Sequence, residues 1–95
     1  MPAVSRLGDR CTGHGCFPPR PNDTGNPVNV YVNGILAHRQ GGHWVVHSCD
    51  DSSHDGTLSG ASSTVFVGGM GIARIGDSIS CGSAVAVGSS NVFAG

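Results

Sequence analysis

A gapless internal repeat constrains this chain more than any other feature. Val30-Tyr31-Val32-Asn33-Gly34-Ile35-Leu36-Ala37-His38-Arg39-Gln40-Gly41-Gly42 lies over Val65-Phe66-Val67-Gly68-Gly69-Met70-Gly71-Ile72-Ala73-Arg74-Ile75-Gly76-Asp77. Two truncated copies flank the full ones. Arg6-Leu7-Gly8-Asp9 repeats the second half of the unit, and Asn91-Val92-Phe93-Ala94-Gly95 repeats the first half. Repetition at a fixed period signals units that stack or rotate about an axis. A chain that opens and closes in mid-unit fits a closed, pseudosymmetric arrangement of such units.

Each full unit reads as a β-hairpin. Val-aromatic-Val alternates as a short strand, Asn33-Gly34 or Gly68-Gly69 makes the turn, and an apolar return strand ends at Arg-x-Gly. A two-residue type I′ turn needs positive φ at both central positions, which Asn-Gly and Gly-Gly accept. Thr57-Leu58-Ser59 and Ala84-Val85-Ala86-Val87 are predicted as further short strands, and the segment between Gly41 and His54 as a long loop. Composition agrees. There is no Lys and no Glu, only three Leu, but eleven Val and sixteen Gly; the good helix formers are scarce and the residue suited to a pleated surface is abundant. No segment carries helical periodicity. The expected fold class is all-β, with residues 1–95 as a single small domain, a size at which metals, disulfides or partners commonly supplement the core.

Five Arg against six Asp leave a formal charge of −1, so no basic surface exists to neutralise phosphates and nucleic-acid binding is not expected. No apolar run is long enough to span a bilayer. Met1-Pro2-Ala3-Val4-Ser5-Arg6 lacks the apolar core of a signal peptide, which predicts synthesis in the cytoplasm. There cysteines stay reduced and serve as ligands or buried apolar residues. On that ground a Cys11–Cys16 disulfide is the less favoured reading, and Cys49 is expected as a small buried residue.

The repeat register places candidate ligands. Asp9 is followed five residues later by His14; Gly42, its equivalent, is followed five later by His47; Asp77 is followed four later by Cys81. If the units surround a pseudo-threefold axis, these three loops meet at one end of it. His54 offers a fourth group. His14, His47, His54 and Cys81 together make a closed tetrahedral zinc set, with iron less suited to these donors. His43 remains an alternative to His47 or His54, and Cys11, Cys16 and Cys49 compete with Cys81. His38, aligned with Ala73 on a return strand, is read as a non-ligand.

Taken together, Arg6-Leu7-Gly8-Asp9 with His14-Gly15, the Val-Asn-Gly hairpins, Ala73-Arg74-Ile75-Gly76-Asp77, Cys81-Gly82 and Gly88-Ser89-Ser90-Asn91-Val92-Phe93 resemble PAAR-repeat proteins over essentially the whole chain. The departures lie in the second copy, where Ala-Arg becomes His38-Arg39 and the usual Asp is Gly42. The resemblance implies a small conical, pseudo-threefold arrangement of short β-hairpins whose vertex is closed by zinc. It places the family's three His and one Cys on His14, His47, His54 and Cys81. It further implies a broad base that docks on the trimeric β-helical tip of a phage-tail or type VI secretion spike, one tip per trimer, and transient contact with a target cell envelope. With no extension at either end, the chain is expected as a bare tip and not an effector-carrying fusion.

Three functions compete at this level. A structural, membrane-piercing tip needs a rigid point and an adhesive base. Val30, Val32, Val65, Val67, Val92 and Phe93 are the candidates for that base, while Tyr31 and Phe66 are expected in the core. A zinc hydrolase or deaminase needs an open coordination position and a base; without Glu, only Asp50, Asp51 or Asp55 near the ligands could serve, so an enzyme is not expected. A disulfide-stapled secreted binding module is permitted by four Cys, but disfavoured by the missing signal sequence. Pro18-Pro19-Arg20-Pro21 reads as a stiff surface loop.

Overall fold

The computed structural model describes residues 1–23 and 30–95. Its strands are β1 (Tyr31–Val32), β2 (Ile35–Leu36), β3 (His43–Cys49), β4 (Ser52–Thr57), β5 (Phe66–Val67) and β6 (Met70–Gly71), paired as three separate antiparallel hairpins. No helix occurs among the described residues. β1 and β2 close at Asn33 (φ 55°) and Gly34 (φ 78°), β5 and β6 at Gly68 (φ 56°) and Gly69 (φ 83°), as the two turn dipeptides predict.

The third unit is assembled from both ends of the chain. Ala3 pairs with Phe93 as Leu36 pairs with Tyr31 and Gly71 with Phe66. The Val4 amide donates to Val92 O (2.9 Å), matching Ala37 to Val30 O (2.9 Å) and Ile72 to Val65 O (3.0 Å). The three units then join in a closed ring of backbone hydrogen bonds. Ser5 N–H donates to Ala73 O (2.8 Å), Ala73 to His38 O (3.0 Å), and His38 to Ser5 O (3.1 Å). A second ring of pairs follows further along the units: Cys11 with Val85, Trp44 with Asn22, Ile79 with Leu58. This cyclic exchange of partners is the pseudo-threefold symmetry that the repeat implied.

Apolar side chains fill the axis in two tiers. One holds Val4, Val32, Ala37, Val67, Ile72 and Ala94; the other holds Cys11, Trp44, Leu58, Ala73, Ile79 and Val85. Fully burying a Val, Leu or Ile contributes about 1.5–3 kcal/mol, so twelve such positions, several of them Ala, make a modest core. The principal extents of 38 × 24 × 23 Å describe an elongated body with two nearly equal short axes.

The Arg-x-Gly-Asp element is a turn locked by its own side chains. The amide of Asp9 donates to Arg6 O (3.0 Å), and that of Asp77 to Arg74 O (3.1 Å), across Gly8 (φ 89°) and Gly76 (φ 93°). Positive φ at the third position is what a type II turn requires. In return Asp9 Oδ2 accepts from the Arg6 amide (2.8 Å) and Nε (3.1 Å), while Asp77 Oδ2 repeats both contacts with Arg74 at the same distances. The second copy keeps the turn, with Gly42 N–H on Arg39 O (3.0 Å) and Gly41 at φ 86°. It cannot keep the Asp. A Cβ at residue 42 would lie 2.2 Å from His38 Cε1. The His38 ring, fully buried edge-on to Trp44, takes that space. Both departures from the repeat are therefore one substitution in three dimensions.

Several expectations need correction. The segment after Gly42 is not a long loop but the longest hairpin, β3–β4, bent by a register shift between Trp44 and His47. Its buried positions are Trp44, His47 and Gly56 while Val46 is exposed, so no apolar alternation announced it. Ala84 and Val85 form only isolated pairs, with Ser78 and Cys11, and Leu58 pairs singly with Ile79. Tyr31 and Phe66 are not core but 63% and 59% exposed. Val32 and Val67, expected at the base, are buried at 5% and 3%. In each short strand the pleat sends the second Val inward and the aromatic outward. Cys49 is half-buried and disulfide-bonded to Cys16, while Cys11 is buried and free.

Candidate metal centre

Beyond the second apolar tier, each unit delivers polar side chains to the axis. His14 opens a tight two-residue hairpin, closed by reciprocal amide bonds with Phe17 (3.1 and 2.9 Å). His47 and His54 are directly paired across β3–β4. Cys81 lies in the turn that the Gly82 amide closes on Ile79 O (3.0 Å) and packs against the second tier. Gly56 on β4 permits this approach, since a Cβ there would meet Ile79 Cγ2 at 2.8 Å and Cys81 Sγ at 3.2 Å.

The donor atoms of His14, His47, His54 and Cys81 all lie within 4.8 Å of one another, a group that could hold a metal ion. The three Nε2 atoms converge, with His14 3.2 Å from His47 and 2.9 Å from His54, and His47 2.7 Å from His54. Ligands at the usual Zn–N length of about 2.0–2.1 Å would stand roughly 3.3 Å apart, so the set needs only small adjustment. His47, 4% exposed, places its Nδ1 3.0 Å from Pro18 O. A carbonyl only accepts, so the proton sits on Nδ1 and the Nε2 lone pair faces the centre. The stiff Pro18-Pro19-Arg20-Pro21 segment thereby acquires a task, holding that carbonyl in place. Burial, then the neighbouring His47 and His54, push the His14 pKa below its ordinary 6.5, which favours the neutral, ligating form.

Phe17 covers the group. Its ring centroid lies 4.8 Å from those of His14 and His47 and 4.2 Å from that of His54. Sequence reasoning missed it, because an aromatic two residues past a turn glycine carries no signal of its own. Four protein donors beneath an apolar ring form a closed donor set, the arrangement typical of structural rather than catalytic zinc. No cavity occurs among the described residues.

The competing ligands fall elsewhere. His43 stands apart from the group, with Nδ1 2.6 Å from Asp23 Oδ1 and Nε2 2.8 Å from Asp55 Oδ2. Asp55 is thus engaged with His43, and Asp50, with Asp51 beside it, sits at the β3–β4 turn at φ 52°. Hydrogen bonds to Asp55 and then Asp23 raise the His43 pKa above 6.5. A raised folded-state value means stabilisation that is complete below 6.5 and lost as pH rises through the folded value. The difference in melting temperature between wild type and His43→Gln is therefore expected to be largest below pH 6.5 and to shrink as pH rises beyond it. A pH-independent difference in paired thermal melts would contradict this assignment.

A family comparison completes the picture. The PAAR motif model matches residues 23–87, more than two thirds of the chain. This protein belongs to the PAAR motif family. PAAR proteins are structural spike-tip proteins that associate with spike proteins. A comparison with curated proteins finds no match. The matched segment contains His47, His54 and Cys81 but not His14, which the fold brings beside them. No helix among the described residues is long and apolar enough to cross a membrane.

Proposed function

We propose that residues 1–95 act as one PAAR tip that caps and sharpens the trimeric β-helical spike of a contractile phage tail or type VI secretion system, with zinc on His14, His47, His54 and Cys81 closing its vertex. The protein would be made in the cytoplasm, assembled on the spike, and meet a target envelope only during firing. One observation carries the docking part of this reading. Three equivalent positions of the three units, Tyr31, Phe66 and Phe93, expose an aromatic ring at 63%, 59% and 50%. Val30, Val65 and Val92 precede them, also exposed, at 41%, 39% and 37%. A threefold set of apolar anchors at the end of the stack away from the His/Cys group is complementary to a partner with a true threefold axis. Such rings are the residues that dominate interface energetics. Zinc is the metal whose tetrahedral preference and affinity for imidazole and thiolate match this donor set; it would supply cross-linking of three loops and no chemistry on a substrate.

Native mass spectrometry of the tip mixed with a trimeric spike tests the reading. One tip per trimer and one zinc per tip are expected. Each of Tyr31→Ala, Phe66→Ala and Phe93→Ala should weaken binding about 10- to 30-fold, the effect of losing a hot-spot aromatic, while leaving melting within about 0.5 kcal/mol of wild type. Undiminished binding by the triple variant would refute this docking face.

A further inference from the structure

The four cysteines divide into two kinds. Cys11 is buried in the second tier and Cys81 faces the His group. Cys16 and Cys49 lie outside both and are bonded to each other, with Cα atoms 5.6 Å apart and a sequence separation of 33. Each sits at the tip of a ligand-bearing hairpin. Cys16, exposed, occupies the Gly15-Cys16 turn that follows His14. Cys49 ends β3 two residues beyond His47, paired with Ser52 across the turn that Asp50 makes with its positive φ. The bond therefore ties the His14 hairpin to the β3–β4 hairpin just outside the His/Cys group.

We propose that Cys16 and Cys49 form a redox-set lock on the vertex, closed when the protein leaves a reducing compartment and governing how readily the vertex opens and releases its metal. The effect on release rests on the zinc reading above; the lock itself does not. Closure is thiol–disulfide exchange with a small-molecule disulfide. The Cys16 and Cys49 sulfurs are oxidised and join, the reagent's S–S bond breaks, and the two cysteine protons end on the two small thiols produced. The exposure of Cys16 gives the reagent access, whereas the burial of Cys11 and the engagement of Cys81 direct oxidation to this pair. Once closed, the cross-link keeps the His14 imidazole near the metal after its bond to the metal breaks. Rebinding is then an intramolecular event at high effective concentration, and release must wait for several ligands to part together.

The test compares the full chain oxidised with glutathione disulfide against the reduced chain, and both against Cys16→Ser and Cys49→Ser. Alkylation under denaturing conditions should find two thiols, Cys11 and Cys81, in the oxidised protein and four in the reduced. Zinc transfer to a chromophoric chelator should be about tenfold slower or more when oxidised, with both variants releasing at the reduced rate in either condition. Amide hydrogen exchange across residues 12–18, measured with and without zinc, reads the lock directly. Slower exchange on oxidation in a protein that takes up no zinc would sustain the lock and remove the metal reading. Four alkylable thiols after oxidation, pairing through Cys11 or Cys81, or equal exchange in both redox states would overturn the lock. So would a second zinc on the reduced chain, held by Cys16, Cys49 and Asp50, that slows exchange as much as oxidation does.

Discussion

Replacing His47 by Ala is expected to weaken metal binding about 100-fold or more and lower the melting temperature by about 15–25 °C, while the protein still docks on its spike. The estimate follows from the site. Structural zinc contributes an apparent binding free energy of about 10–16 kcal/mol, so one of four ligands accounts for roughly 3–4 kcal/mol. For a domain of this size each kcal/mol moves the melting temperature about 4–8 °C. His47 is the most buried of the four and its tautomer is set by Pro18 O, so no neighbour can replace it. His43 is held between Asp23 and Asp55. The two apolar tiers end before the His group, which leaves the vertex little apolar packing beyond Phe17 and the Cys16–Cys49 bond. Cys81→Ser and His14→Ala should act in the same direction. Docking should survive because Tyr31, Phe66 and Phe93 belong to the opposite end of the stack. Calorimetry with parallel metal analysis checks the expectation, and unchanged zinc content and melting in all three variants would remove these residues as ligands.

Restoring the repeat at its one broken position should harm the protein. Gly42→Asp brings back the residue found at Asp9 and Asp77, yet its Cβ would overlap the His38 ring. Overpacking of this kind costs about 1–3 kcal/mol or more. His38→Ala alone should also destabilise, by roughly 2–4 kcal/mol, by leaving a cavity beside Trp44. The double variant should be more stable than either single one. Arg39 Nε is buried without a hydrogen-bond partner, whereas the equivalent atoms of Arg6 and Arg74 each meet an Asp at 3.1 Å. An Asp at 42, freed from the imidazole, can complete that third clamp. Urea melts of the four proteins give the coupling directly, and additive effects of the two substitutions would contradict the account.

How far the chain could be read in advance depended on whether the information was local. The repeat, the turn dipeptides Asn33-Gly34 and Gly68-Gly69, and the convergence of the His and Cys that follow each Arg-x-Gly were legible. They rest on φ preferences and on spacing that the chain carries with it. The closed ring could be anticipated from the two half-units that flank the full ones. Even the membership of His14 in the candidate group followed from register, although it lies outside the family match.

What the sequence left open was settled by contacts between distant segments. Four cysteines admit several pairings; the juxtaposition of two hairpin tips selects Cys16 with Cys49. Tyr31 and Phe66 look like core residues because they are large and apolar, but the axis is too narrow for three rings and accepts Val32, Val67 and Ala94 instead. The β3–β4 hairpin buries His47 and Gly56 and exposes Val46, so it lacks the apolar-in, polar-out alternation that marks a strand. The loss of Asp at residue 42 and the gain of His38 look unrelated along the chain, and become a single event only where the ring meets the backbone. Sequence by itself determined the repeating unit, its turns and the spacing of its candidate donors, since these are properties of short segments. Tertiary structure alone decided which side chains face the axis, which cysteines meet and what covers the metal site, since these depend on how little room three units leave between them.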